Sequence, residues 1–296
     1  MGRFLTVAAV VIVALWAIEP HLIAQKPGQL FVSLVGADGT PVGDLQASDV
    51  IVTEDGIECK TVKVDPINWP IKLQVLVDNG KANTNPINPL REGLTALFDQ
   101  IPDGVEMSLY TTAPQPRAIV KPTTDKQQLL KGIGLIAPDS GVGAFFDALS
   151  EAAGRTDKDK TPHFPVILMV GSDLGQVNAQ DRDFRKLQEN ILKHAMTLHI
   201  IVMAGGGGAT GGGAQTEIGL AVTKLSGGRY ENITTATRLA TLLPELGKRI
   251  AQSQARQSHQ FRVTYERPAN AKTEARIGAS VSRRATVVLT LDGHMP

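Results

Sequence analysis

Between Pro70 and about Gln257 the chain alternates β-type runs with amphipathic helical stretches, and no other property of the sequence restricts its fold as strongly. Ile71 to Val77 and Pro165 to Val170 read as continuous strands of the kind buried inside parallel sheets, and Val105 to Thr111 and Leu198 to Met203 add two more. Helical spacing of apolar residues predicts helices over Leu90–Phe98, Lys126–Ile136, Ala144–Ala153 and Asp181–Met196. Two further helices are predicted over Thr216–Leu225, closed by Gly227 at the left-handed position, and over Leu239–Ala255, which Pro244 must start or kink. Strands that alternate with helices pack as a mainly parallel sheet covered on both faces, so the fold class is α/β.

Both ends of the chain read differently. From Gln29 to Val64 the period is two, with Leu30, Val32 and Leu34 on one face, and tight turns at Asp38-Gly39 and Asp55-Gly56. From Gln260 to Leu291 alternation returns through Phe261-Val263-Tyr265, Ala275 to Val281, and Thr286 to Leu291. Chain ends commonly lie close together, so residues 28–66 and 259–292 are expected to build one small β flank beside a central domain over 70–257. Residues 1–24 read as an export signal. Arg3 precedes an apolar run, Phe4 to Ile18, whose fifteen residues fall short of the ~17–25 that span a bilayer. Leu22-Ile23-Ala24 offers a cleavage site, with an uncleaved N-terminal anchor as the alternative. No other apolar stretch approaches spanning length, and the body is expected to be secreted, periplasmic or held at a bacterial cell envelope.

Charge bears on partners. Lys and Arg total 30 against 29 Asp and Glu, a net charge of +1 that excludes a general nucleic-acid binder. One asymmetry stands out: nine basic residues against Glu266 and Glu274 between Lys248 and Arg284. This segment either contacts anionic envelope polymers or presents solvated outer strand faces. The single cysteine, Cys59, rules out an intrachain disulfide and reads as a small hydrophobe on a strand, an intermolecular disulfide being the alternative.

In an open parallel sheet, ligands bind outside the carboxyl ends of the strands. Asp78 follows Ile71–Val77 directly, which makes it the leading candidate residue; the alternative is a carboxylate that accepts amide bonds from the next loop. The other loops on that edge are Ser140–Ala144, Gly171–Asn178 and Ala204–Gln215. Familiar catalytic patterns fail in turn. Gly205 to Gly213 lacks the Gly-Lys-Ser/Thr ending of a phosphate cradle, Val170 stands where a nucleophile turn around Ser172 needs Gly, and Gly80 stands where an Asp-x-Asp phosphatase needs acid. His163, His194, His199 and His259 have no metal-protease spacing; His194 is expected near a helix end and His199 inside a strand.

Several segments together resemble the von Willebrand factor type A (vWA) family, in particular the exported vWA-related proteins abundant in Acidobacteria. Ile71 to Gly80 resembles the first strand and metal-site loop. Gly141 to Leu149 resembles the Gly-Gly-Thr-x-x-x-Asp-Ala-Leu segment, Val166 to Asp173 the fourth strand with its acidic loop, and Leu225 to Tyr230 the Thr-Gly-Gly-Arg-Tyr stretch. Val35 to Leu45, Ser48 to Val50 and Glu54 to Gly56 are similar to the subgroup's β prelude, and Phe261 to Thr290 to its closing strands. The resemblance implies a Rossmann-like vWA domain that binds a protein partner and is not an enzyme. The family's metal-ion-dependent adhesion site uses Asp-x-Ser-x-Ser, a Thr and a distal Asp. Here Asp78 keeps the first carboxylate, Gly80 and Ala82 replace the serines, Gly143 the Thr, and Gly171 the distal Asp unless Asp173 substitutes. Magnesium needs near-octahedral oxygen ligands, so no cofactor is expected. The alternatives are a weakened Mg²⁺ site on Asp78, Ser172 and Asp173, and a hydrolase centred on Ser172 or Asp78. Partner contact is expected from Asp78, Asn79, Lys81, Ser140, Ser172 and Asp173.

Overall fold

A computed structural model describes residues 27–36, 41–81, 87–204, 213–257, 259–272, 274–282 and 285–290. The predicted export signal over 1–24, the Asp38-Gly39 turn, Ala82 and most of the glycine-rich loop lie outside the described residues.

The central sheet contains β5 (Ile71–Val77), β6 (Glu106–Thr111), β7 (Arg117–Thr123), β8 (Phe164–Ser172), β9 (Thr197–Met203) and β10 (Tyr230–Ile233). Their order is β10-β9-β8-β5-β6-β7, parallel except for the edge strand β7, which runs antiparallel to β6. The helices are α1 (Ile87–Gln100), α2 (Lys126–Leu135), α3 (Phe145–Lys158), α4 (Asp181–Lys193), α5 (Ala214–Ser226) and α6 (Leu239–Gln257). Alternation along β5 explains how they are divided between the faces. Ile71, Leu73, Val75 and Val77 share one buried cluster with Leu94 of α1, Leu129 of α2 and Leu243 of α6. Leu76 points the other way, into a cluster with Phe146 of α3, Ile191 of α4 and Val222 of α5. Each such fully buried side chain contributes about 2–3 kcal/mol, so the two apolar layers hold the sheet between three helices on each side.

The two polar residues of β5 are also accounted for. Gln74 donates through Nε2 to Ala152 O and to Thr156 Oγ1, both at 3.1 Å, and accepts from Arg155 Nε at 2.8 Å. Lys72 Nζ lies 2.6 Å from Asp159 Oδ2 and 3.2 Å from Glu106 Oε1. The strand tolerates these groups because both are partnered, Gln74 by α3 and Lys72 by Asp159, just past the end of α3, and by Glu106 of β6.

Beside this domain the two ends of the chain interleave. The strands β1 (Gly28–Val35), β4 (Thr61–Ile67), β11 (Gln260–Tyr265) and β13 (Thr286–Thr290) form one antiparallel sheet in the order β13-β1-β11-β4. A second sheet, in the order β12-β2-β3, joins β2 (Val50–Glu54), β3 (Ile57–Cys59) and β12 (Ile277–Val281). Leu30, Val32, Val52, Cys59, Phe261 and Tyr265 pack between them, so Cys59 occupies the small-hydrophobe position expected of it. Asp55 (φ +50°) and Gly56 (φ +82°) make the predicted tight turn, both in the left-handed region that such two-residue hairpins require. Among the described residues no helix is long and apolar enough to cross a membrane.

Three elements differ from the sequence reading. β7 carries Pro122 and buries only Val120, so its pattern is that of a charged edge strand and gives no apolar run. β10 is a four-residue edge strand, too short for periodicity to detect. The third, α6, begins at Leu239 as predicted, so of the two roles left open for Pro244 it does not start the helix but lies inside it, and the helix runs two residues further, to Gln257.

Candidate functional site

β5 lies between β6 and β8, so the chain leaves it first toward one side of the sheet and later returns on the other. Sheets of this kind bind ligands at such a reversal, here the carboxyl ends of β5 and β8, where Asp78 and Ser172 stand. The Asp78 amide donates to Val170 O at 2.8 Å, which continues the sheet by one residue. Its carboxylate turns inward and accepts from the Gly80 amide at 2.8 Å and from the Ser172 amide. Asp78 is 2% exposed. Burial pushes its carboxyl above the usual carboxylate range, and the amide donors of Gly80 and Ser172 pull it partly back.

The glycines around this carboxylate fit it closely. A Cβ on Gly143 would lie 2.3 Å from Asp78 Cγ and Oδ1 and 2.4 Å from Oδ2. A Cβ on Gly80 would meet Gly141 O at 2.8 Å and Gly143 N at 2.9 Å. At Gly171 it would meet the Phe145 ring at 2.8 Å. At three of the four positions where the resemblance expects oxygen donors, the space a side chain would take is thus occupied by the Asp78 carboxylate, by backbone and by an aromatic ring; the fourth, Ala82, lies outside the described residues. Among the described residues no group of three or more His, Cys, Asp or Glu side chains is placed to hold a metal ion.

The six residues expected to touch a partner separate into two sets. Asp78, Asn79 and Ser172 are buried, and their polar atoms hold the loops together. Asn79 Nδ2 donates to Ala137 O at 2.7 Å while its Oδ1 accepts from the Ala113 amide at 3.2 Å. Ser172 Oγ accepts from the Leu174 amide at 3.1 Å. Lys81 and Ser140 are exposed and Asp173 is half-buried, so these three reach the surface. Two apolar residues join them that sequence reasoning missed: Val142 at 47% and Leu174 at 60% exposure. Their loops are tied together, since the Gln176 amide donates to Gly143 O at 2.6 Å and the Phe145 amide to Gln176 O at 3.0 Å. Exposed valine or leucine beside a glycine is a weak signal in a sequence, and nothing there could have separated these two from core residues.

The chemistry available at Ser172 is narrow. A serine nucleophile needs a base within hydrogen-bond reach, yet His163, His194 and His199 lie before β8, at the end of α4 and near the start of β9, all toward the opposite edge of the sheet. His194 Nε2 lies 2.7 Å from Asp157 Oδ1, whose carboxyl the hydrogen bonds from Lys193 and His194 lower to about 2. His199 is buried in β9 as expected, and burial, reinforced by Arg249 and Arg229, lowers its imidazole to about 4. The basic segment is partly neutralised within the chain. Arg267 pairs with buried Glu54, Arg262 lies 3.4 Å from Asp65, and Lys272 lies 4.0 Å from Asp55.

No family model matches the sequence, and no curated protein matches it. The likeness to known proteins is one of architecture. A von Willebrand factor type A protein from Catenulispora acidiphila superimposes with a TM-score of 0.50, covering 90% of this chain and 72% of its own at 10% identity. The chain has a vWA fold. Two further vWA-type matches are BatB from Bacteroides thetaiotaomicron (TM-score 0.46, 12% identity, 62% of this chain and 100% of that one) and the SpRpn10 VWA domain (TM-score 0.46, 13% identity, 59% and 95%). In this fold Asp78 stands at the carboxyl end of β5, directly after the strand.

Proposed function

We propose that this chain is an exported, non-enzymatic interaction module that binds a protein partner through the carboxyl-edge loops of its vWA domain without a divalent cation. One observation carries the reading: the Asp78 carboxylate fills the space in which Gly143 would need a side chain to donate oxygen, and amides already hold it. A dedicated Mg²⁺ site needs several oxygen donors around an open centre, and here the donors are glycines and the centre is packed. The residues do not fit the ion. Contact passes instead to Lys81, Ser140, Val142, Asp173 and Leu174, loop residues that combine two exposed apolar side chains with polar and charged ones. Exposed apolar groups framed by polar ones are the usual composition of a protein contact. Export rests on the apolar run Phe4–Ile18, and the vWA-related subgroup on the motifs quoted above.

Capture from the native envelope tests the reading. Wild-type bait is expected to retain its partner equally with Mg²⁺ and with EDTA. Leu174→Asp and Val142→Asp should each weaken retention by about tenfold or more, since a charge set in an apolar contact costs at least ~1.4 kcal/mol. A partner released by EDTA, or one indifferent to both substitutions, contradicts the proposal.

A further inference from the structure

A second feature lies at the opposite edge of the sheet and is independent of the reading above. A cavity of about 540 Å³ opens between the ends of α4, α5 and α6, the first residues of β8 and β9, and the end of β13. Its size falls within the range of ordinary small-ligand sites. Apolar wall comes from Ile191, Met196, Leu225 and Ile250, and Leu192, 61% exposed, stands at the rim.

The polar groups in this wall are mainly donors. Arg249, Ser253 and Gln257 are spaced four apart on α6 and form one stripe along it. Arg249 has no carboxylate within 4.0 Å among the described residues, and no Asp or Glu is among the described residues lining the cavity. Gln257 is 4% exposed and lines the same wall. Facing the stripe, His199 is also 4% exposed; its Nδ1 accepts from the Arg229 amide at 3.1 Å. A neutral ring whose Nδ1 accepts carries its proton on Nε2, and burial keeps it neutral, with its pKa lowered to about 4. Three helices end here, and their carbonyl ends would repel an anion. Those of α4 and α5 are capped, however: the Met196 amide donates to Ile191 O at 3.0 Å, His194 to Asn190 O at 3.1 Å, and Gly228 to Thr223 O at 3.0 Å.

We propose that this cavity binds a small organic monocarboxylate with an apolar body, its carboxylate held by Arg249 with Gln257 and the Nε2–H of His199, and its hydrocarbon lying along Ile191, Met196, Leu225 and Ile250. One unpaired guanidinium matches one negative charge, and a planar fork pairs with a planar carboxylate. The greasy wall and exposed Leu192 favour a tail over a bare inorganic anion.

Decanoate is a suitable probe, titrated into the full chain at pH 7.5 by calorimetry, with 1-decanol and acetate as controls. Decanoate is expected to bind one site per chain, at least ~tenfold more tightly than either control. Arg249→Gln, a change at an exposed side chain, should weaken decanoate by at least ~tenfold and leave decanol unchanged, because only the charge-assisted bond is lost. Ser253→Trp should fill the cavity and abolish binding while the thermal midpoint shows a folded protein. Arg249→Lys separates charge from geometry and should bind between wild type and Arg249→Gln. Decanol binding as well as decanoate, decanoate indifferent to Arg249→Gln, acetate matching decanoate, or no heat of binding with decanoate would each overturn the proposal. Failure here leaves the carboxyl-edge reading untouched, since envelope capture reports on different residues.

Discussion

Gly228→Ala is expected to cost roughly 4 kcal/mol or more, enough to leave a marginally stable domain largely unfolded. The reason is a backbone crossing. A Cβ at this position would lie 1.7 Å from Leu198 O and 2.5 Å from Leu198 C, so no rotamer change can relieve it. The segment is pinned on both sides: the Gly228 amide donates to Thr223 O, the Leu198 amide donates to Ser226 Oγ at 3.0 Å, and the Ile200 amide to Arg229 O at 2.9 Å. Moving it away would therefore strip the start of β9 and the pairing of β10. Its neighbour provides the contrast. Gly227 has φ +67° and nothing within 4 Å of its would-be Cβ, so Gly227→Ala carries only the left-handed penalty of roughly 1–2 kcal/mol. Urea denaturation of both variants checks the pair, and equal midpoints would contradict the crossing.

Gly143→Ala is the second large effect, and it bears on the site itself. The new methyl would collide with the Asp78 carboxylate, which can retreat only by giving up the amides of Gly80 and Ser172. The expected loss is about 2–4 kcal/mol, the range of overpacking combined with a disrupted buried polar group. Coupling distinguishes this cause from a general intolerance of loop changes. In an Asp78→Ala background the carboxylate is gone, so Gly143→Ala should cost less than about 1 kcal/mol. A double-mutant cycle by thermal or urea unfolding measures the difference, and additive losses would show that the two residues do not oppose each other.

Much of the architecture was legible because it rests on periodicity. Ile71–Val77 reads as a buried strand in the sequence and is one, and Asp181–Lys193 carries its apolar stripe openly in Phe184, Leu187 and Ile191. The position of Asp78 followed from strand ends alone. What stayed hidden depended on distances between segments far apart in sequence. Gly227 announces its left-handed turn locally, whereas the need for glycine at 228 comes from Leu198 across the sheet. The same holds at the site. Gly80 and Gly143 were readable as missing oxygen donors, but the carboxylate packed against them was not, nor was the burial of Asn79 and Ser172, nor the exposure of Val142 and Leu174. The cavity beside His199 combines α4, α5, α6 and β13, which no local pattern connects.

Direct titration of the full chain with Mg²⁺ and Mn²⁺ is the most direct test of an adhesive fold working without a cation. Calorimetry should register no binding tighter than millimolar for wild type, and Asp78→Ala should give the same trace. Tighter binding that disappears in Asp78→Ala would mean that the enclosed carboxylate opens to a metal ion, and the interaction surface described here would have to be rebuilt around that ion.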